Sequence, residues 1–143
     1  STRADFSYLY IDQECSVLDP GLTVFEQTER FNASHLAEHE LKSILNRCLF
    51  PYETWDKPCF CLSGGEKIRL LFCCLMIGNN APDVFILDEP TNNLDIQSVE
   101  IITAAIKSYR GTVLLISHDH YFVEEIKINR SIKLFDTGSV IKI

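Results

Sequence analysis

DVFILDEP, residues 83–90, is a continuous apolar run that ends in two adjacent carboxylates. A short run of this kind is typical of a parallel strand that is covered on both faces. Ligands of open α/β sheets bind at the carboxyl ends of the strands, where Asp88 and Glu89 lie. The two acids can also be solvated turn residues. At a strand end, however, one carboxylate could hold Mg²⁺ while the next orients or deprotonates an attacking water.

A second strand of the same kind is predicted at TVLLIS, residues 112–117, and is followed by His118. Between the two strands, Asp95 predicts the N-cap of a helix that runs to about Tyr109. Strand, helix and strand in this order form a β-α-β unit, which brings His118 beside the two carboxylates. A single histidine after a strand is more often structural, but this position favours a functional role.

LSGGE, residues 62–66, precedes a long apolar helix. Ser63 and Glu66 predict a capping box, with Gly64 and Gly65 in the first helical turn. A glycine in a helix costs about 0.5–1 kcal/mol relative to alanine, so two together need a compensating reason. The unpaired N–H groups of a helix start bind anions, and glycines let a phosphate approach the backbone. The alternative is a capped helix with incidental glycines.

Weaker patterns complete the prediction. Residues 5–11 are expected to form a strand, Thr23 to cap a helix that ends at Arg30, and residues 34–49 to form a longer helix. Two strands joined by a turn at residues 136–139, with Gly138 at the positive φ position, are expected at the end. The alternating strands and helices predict an α/β fold with a parallel sheet.

Composition limits the classes of function. The chain has 143 residues, enough for one domain, and a net charge of −7, which argues against nucleic-acid binding by bulk electrostatics. Its six cysteines form no C-x-x-C pair and predict reduced thiols in a cytosolic protein. His35 and His39 lie four residues apart, but with no third ligand in view we expect solvated histidines.

Five motifs together resemble those of an ATP-binding cassette (ABC) ATPase. In order they are YIDQ (10–13) for the Q-loop, LSGGE (62–66) for the signature motif, VFILDEP (84–90) for Walker B, TNNLD (91–95) for the D-loop and SHD (117–119) for the switch histidine. P-T-N-x-L-D after the Walker B glutamate, together with SHDHYF, is most similar to the ABC-F subfamily, tandem-cassette proteins that act on ribosomes.

The resemblance implies a fold and a division of the chain. It predicts a partial P-loop NTPase (RecA-like) core with a parallel sheet, together with the ABC helical subdomain and a final β-hairpin. Residues 1–14 would hold the Q-loop strand, residues 15–80 the helical subdomain with the signature motif, and residues 81–143 the C-terminal half of the catalytic core.

The resemblance also implies roles in binding and hydrolysing ATP with Mg²⁺. Asp88 and Gln13 would contact the Mg²⁺, and Glu89 would act as the catalytic base. His118 would steady the γ-phosphate, and Asp95 would couple two sites across a dimer. The signature residues would bind the ATP held by the opposite cassette; they are Ser63, Gly64, Gly65 and Glu66.

The sequence contains no G-x-x-x-x-G-K-[ST] phosphate loop. Because that loop supplies most of the phosphate cradle in such enzymes, this chain alone is expected to bind ATP weakly or not at all. We expect a fragment cut downstream of the loop, from the second cassette of a tandem protein. The alternative is a natural cassette that only completes a partner's site. Exposed strand edges of a fragment would favour self-association.

The expected function is ATP-driven closure of two cassettes, followed by hydrolysis and reopening. The intact protein is expected to be cytoplasmic, to contact the ribosome and not to insert into a membrane. Two alternatives stay open: the ATPase subunit of an ABC membrane transporter, and a non-catalytic cassette that acts as an interaction module.

Overall fold

The computed structural model describes residues 5–78, 82–127, 131–133 and 140–142. The elements are, in chain order, β1 (Tyr8–Ile11), α1 (Val24–Phe31), α2 (Glu38–Arg47), α3 (Gly64–Gly78), β2 (Val84–Asp88), α4 (Ile96–Ser108), β3 (Thr112–Ser117), α5 (His120–Glu125), β4 (Ser131–Lys133) and β5 (Val140–Lys142). Two short 3-10 helices, Tyr52–Thr54 and Cys59–Cys61, connect α2 to α3.

The strands form one mixed sheet in the order β1-β2-β3-β5-β4. β1, β2 and β3 are parallel, whereas β5 is antiparallel to both β3 and β4. The α/β class, the parallel sheet and the terminal pair of antiparallel strands are thus confirmed. The predicted turn at residues 136–139, with Gly138, lies outside the described residues. Since Ile11 pairs with Leu87 and Asp88 with Ile116, the carboxyl ends of the three parallel strands meet at one edge.

The two faces of this sheet differ in burial. On one face, Phe85 packs against Phe72 of α3 and Tyr109 after α4, with ring centroids 6.4 Å and 4.3 Å away. On the other face, Tyr8 is 65% exposed and Tyr10 44% exposed, while the apolar side chains of β2 and β3 are half-buried. Strand β2 is therefore fully buried on one face and half-buried on the other, so its predicted cover on both faces is complete on only one of them.

The helices between β1 and β2 begin and end near the predicted positions. Thr23 caps α1 through a capping box with Glu26, as predicted. The helix expected from residue 34 begins only at Glu38, because the Asn32 side chain bonds the backbone N–H and carbonyl of Leu36, both at 2.9 Å. These bonds fold residues 32–36 into a turn instead of a helical start.

The core surrounds α3, which packs against α1, α2 and α4 and, through Phe72, against Phe85 of the sheet. Helix α3 is buried from Ile68 to Cys74, which accounts for its apolar sequence. All six cysteines are free, and five of them are buried. Burial raises the pKa of the Cys15 thiol to about 12 and that of Cys59 to about 11. No helix in the described part of the chain is both long and apolar enough to cross a bilayer.

Candidate functional site

A cleft of about 530 Å³ opens where the carboxyl ends of β1 and β2 meet the starts of α3 and α4. It is lined by the loop after β1, the first turn of α3 and the loop from β2 to α4. Eight residues predicted from the sequence line this cleft together: Gln13, Ser63, Gly64, Gly65, Glu66, Asp88, Glu89 and Asp95. Positions that are up to 82 residues apart in sequence, from Gln13 to Asp95, thus share one site.

Asp88, the last residue of β2, is held by a side chain that the sequence analysis missed. The Tyr10 hydroxyl of β1 donates a hydrogen bond to Asp88 Oδ2 at 2.9 Å. Tyr10 pairs with Ile86, so Asp88 is its diagonal neighbour on the same face. The pKa of Tyr10 is raised, mainly by this hydrogen bond and secondly by burial. Because this bond holds Oδ2, it also fixes the orientation of the whole carboxylate. The second oxygen, Oδ1, can then bind a cation.

Glu89 and His118 contact each other, as the β-α-β argument predicts. Glu89 Oε1 lies against His118 Nδ1, and the His118 backbone N–H donates to Glu89 Oε2 at 3.4 Å. The Glu89 side chain is 19% exposed and that of His118 is 57% exposed. Glu89 has a φ of 48°, a left-handed conformation that is uncommon for this residue type. Five other non-glycine residues of the described chain also have a positive φ, so the contact with His118, and not this conformation alone, singles out Glu89.

The start of α3 has the predicted capping box. The Glu66 backbone N–H donates to Ser63 Oγ at 3.2 Å, and the Ser63 N–H donates to Glu66 Oε1 at 3.3 Å. The two glycines differ in their surroundings. A Cβ at Gly64 would have no atom within 4 Å, whereas a Cβ at Gly65 would lie 2.9 Å from Leu94 Cδ2. Open space for a ligand is thus found at Gly64, and Gly65 has a packing reason of its own.

Asp95 caps α4 as predicted and belongs to a network that extends to α3. Its Oδ1 accepts from the Ser98 N–H at 2.7 Å, and Ser98 Oγ accepts from Arg69 Nη1 at 3.0 Å. The hydrogen bonds from the Ser98 side chain and backbone lower the pKa of Asp95. Arg69 and Ser98 are both buried, and the sequence analysis did not single out either of them.

The cleft is acidic. In the described part of the chain, the charged side chains that line it are Arg69 and six carboxylates, namely Asp12, Glu14, Glu66, Asp88, Glu89 and Asp95. Within the described ranges, no group of three His, Cys, Asp or Glu residues could hold a metal ion by itself. Mg²⁺ is usually held by one or two carboxylates, with phosphate oxygens and water as the other ligands. The oxygen donors Asp88 and Gln13 fit that requirement.

Comparisons with known proteins agree with this geometry. Residues 2–92 match the family model described as "ABC transporter". The chain is 42% identical over 128 residues to "ABC transporter F family member 5" of Arabidopsis thaliana, which covers 89% of this chain and 18% of that protein. It is 46% identical over 99 residues to "ABC transporter F family member 2" of the same plant, covering 69% of this chain and 14% of that protein. The chain therefore spans less than a fifth of the length of these relatives.

The comparison with solved structures leads to the same family of folds. A dimeric structure of the ATP-binding cassette MJ0796, in a post-hydrolysis state bound to ADP and Pi, superposes with a TM-score of 0.62. The sequences are 21% identical, and the match covers 84% of this chain and 56% of that chain. A likeness at this level of identity establishes the fold, which is that of a P-loop NTPase cassette.

Proposed function

The chain belongs to the ABC transporter family of ATP-binding cassettes, and from this premise we propose that it supplies catalytic residues to a dimeric ATPase. The observation that carries the proposal is the cleft itself, which gathers the carboxylates of β2, the start of α3 and the D-loop residues. ABC cassettes bind and hydrolyse ATP in general.

Within the proposal, Asp88 and Gln13 would hold Mg²⁺, which would supply positive charge to offset the charge that develops on the phosphate. Tyr10 keeps the Asp88 carboxylate oriented through its 2.9 Å hydrogen bond. Glu89 accepts a proton from the attacking water. Its contact with His118 fixes the direction of the carboxylate, and His118 would steady the γ-phosphate. A base of this kind contributes about 10²–10⁴-fold to the rate.

The start of α3 has a different task in the proposal. Ser63 and Gly64 are both exposed, so their surface can contact a second cassette. The N–H groups of the first helical turn would bind the γ-phosphate of ATP held by that partner. Closure of two cassettes around ATP, hydrolysis and reopening then form one cycle. Asp95 couples the two halves, and Glu66 holds Ser63 in place through the capping box.

The proposed cellular setting follows the likeness to ABC-F proteins. We place the cassette in a longer, cytoplasmic, tandem-cassette protein that acts on the ribosome, with residues 15–80 as its helical subdomain. The remaining residues would form parts of the catalytic core. Two alternatives are to be separated by experiment: an ATPase subunit of a membrane transporter, and a cassette without catalysis that acts as an interaction module.

The test uses Glu89→Gln in the longer protein that we propose carries this cassette. We expect ATP turnover to fall by about 10²–10⁴-fold while the closed, ATP-bound dimer accumulates, because the step after closure is blocked. Glu100→Gln, a matched change on the exposed surface of α4, is the control and should retain turnover. Undiminished turnover in Glu89→Gln would contradict the assignment of the base.

The same variant identifies the partner. An ABC-F protein should sediment with ribosomes in the presence of ATP, and more strongly as Glu89→Gln. Co-purification with membrane subunits would instead favour the transporter alternative. Ribosome or membrane binding that is independent of ATP, with turnover absent from the parent protein, would favour the interaction module.

A further inference from the structure

The loop from β2 to α4 touches helix α3 at two separate places. The first is the contact between Gly65 and Leu94, where a Cβ on the glycine would lie 2.9 Å from Leu94 Cδ2. The second is the hydrogen-bonded path from Arg69 through Ser98 to Asp95. Gly65 and Arg69 are four residues apart and therefore lie on the same face of α3. One face of the helix thus meets two consecutive loop residues, Leu94 directly and Asp95 through Ser98.

Several contacts hold the buried Arg69 side chain in position. Its residue exposure is 8%, and the guanidinium lies 4.8 Å from the centroid of the Phe50 ring. Nη1 donates to Ser98 Oγ at 3.0 Å and Nη2 donates to the Leu49 carbonyl at 3.4 Å. Burying a cation is costly unless it is hydrogen-bonded, and a planar donor fork restricts where its acceptors can lie. Ser98 is therefore held in a fixed position relative to α3.

Ser98 in turn determines the position of Asp95. The backbone N–H of Ser98 donates to Asp95 Oδ1 at 2.7 Å. The Ser98 hydroxyl accepts from Arg69 Nη1, so one residue of α4 contacts both the Asp95 carboxylate and α3. The carboxylate is thereby connected to α3 through two hydrogen bonds.

We propose that Leu94 and Arg69 are positioning residues that tie Asp95 to helix α3, so that the loop and the start of the helix move as one body. The functional consequence of this joint motion rests on the proposed function. A phosphate that contacts Ser63 and Gly64 of α3 would displace Asp95 in the same movement. The chain would then need no separate event to align its D-loop with a partner cassette.

The first test compares Gly65→Ala with Gly64→Ala in this 143-residue chain, without nucleotide. The two variants make the same change of helix propensity at neighbouring positions, but only the new methyl group of Gly65→Ala displaces Leu94, the chain neighbour of Asp95. Hydrogen exchange of the Ser98 amide reports whether the cap on Asp95 loosens. We expect Gly65→Ala to speed this exchange about fivefold, the factor for the loss of one helix cap, and Gly64→Ala to leave it unchanged. Equal exchange rates in the two variants would overturn the proposal.

A double variant tests whether Gly65→Ala acts through its contact with Leu94. Leu94→Ala removes the atom that the new methyl group would strike, so Gly65→Ala/Leu94→Ala should exchange no faster than Leu94→Ala alone. That non-additive result is the sign of a direct contact. Additive effects would mean that Gly65→Ala acts by another route, and they would count against the role of Leu94.

The second test follows Asp95 itself by carbon-detected NMR. In Arg69→Met, which keeps the volume and removes the hydrogen bonds, we expect the Asp95 pKa to rise toward its ordinary value. Arg69→Lys should restore part of the difference, because it returns the charge and one donor. If Arg69→Met does not fold, Ser98→Ala removes the same connection from the α4 side with a smaller change of volume. An unchanged Asp95 pKa in the folded variants would refute the connection. Since neither test uses ATP, they can fail while the ATPase proposal stands, and the reverse also holds.

Discussion

Two capping boxes of nearly the same geometry allow stability to be separated from function. At α3, the Glu66 N–H donates to Ser63 Oγ at 3.2 Å, and at α1 the Glu26 N–H donates to Thr23 Oγ1 at the same distance. Each glutamate returns a hydrogen bond to the backbone N–H of its cap residue. Ser63, however, lines the acidic cleft, and Thr23 does not. Ser63→Ala and Thr23→Ala are therefore a matched pair.

The expected loss of stability follows from the lost cap. Replacing a Ser or Thr cap by Ala costs about 1 kcal/mol of unfolding free energy, within a range of about 0.5–2 kcal/mol. For a chain of this length that corresponds to a decrease of roughly 3–5 °C in the melting temperature. Thr23→Ala should cost at least as much as Ser63→Ala, because Thr23 is half-buried and also loses its methyl group. Urea unfolding of the 143-residue chain, followed by circular dichroism, measures both values.

The expected functional effects differ. A serine hydroxyl can accept from the Glu66 N–H and still donate its own proton to a phosphate oxygen. A hydrogen bond to a charged group contributes about 1.5–3 kcal/mol, so Ser63→Ala should reduce turnover of the proposed longer protein by about tenfold or more. Thr23→Ala should leave turnover near the parent value at a temperature where both variants are folded. Equal turnover in the two variants, with equal stability, would refute a role for Ser63 beyond the cap.

Two further predictions concern Tyr10 and the thiols. Tyr10→Phe frees Asp88 to rotate, so it should raise several-fold the Mg²⁺ concentration that gives half-maximal turnover of the proposed longer protein. Nucleotide binding in the absence of Mg²⁺ should not change. Tyr8→Phe, on the same face of β1 and 65% exposed, is the control, and an equal shift in both would show a general effect on the strand. In a thiol titration of the native chain at pH 8, one cysteine should react quickly, and Cys61→Ser should abolish that phase. Burial raises the Cys15 pKa above its unfolded value, so the stability it contributes is present below pH 9.0 and should be lost as pH rises toward about 12, as measured by urea midpoints.

The parts of the fold that could be predicted are those decided by local chemistry. Thr23 and Ser63 cap their helices as expected because each has a glutamate three residues later, which is enough to form a capping box. The wrong prediction of where α2 begins also has a local cause. Asn32 bonds the backbone of Leu36, and this choice between a turn and a helical start depends on side-chain geometry that periodicity does not report.

The parts of the site that could be predicted are those that topology decides. Asp88, Glu89 and His118 follow parallel neighbouring strands, so the rule for strand ends was sufficient to bring them together. Tyr10 and Arg69 could not be found in this way. Tyr10 reaches Asp88 through strand pairing across 78 residues of sequence, and Arg69 reaches Ser98 across 29. Neither residue type marks a site until the register and the helix packing are known.

The acidity of the cleft bears on how the proposed ATPase would hold a nucleotide. Among the described residues that line the cleft, six carboxylates face one cation, Arg69, whose Nη atoms already donate to Ser98 and Leu49. A triphosphate would be repelled here unless other positive charge neutralised both the phosphates and the carboxylates. Under the proposal, Mg²⁺ on Asp88 supplies part of that charge, and a basic phosphate loop from another segment or cassette supplies the rest. Nucleotide affinity should therefore depend steeply on divalent cation and on the partner, which makes closure of two cassettes a condition for tight binding and not merely its consequence.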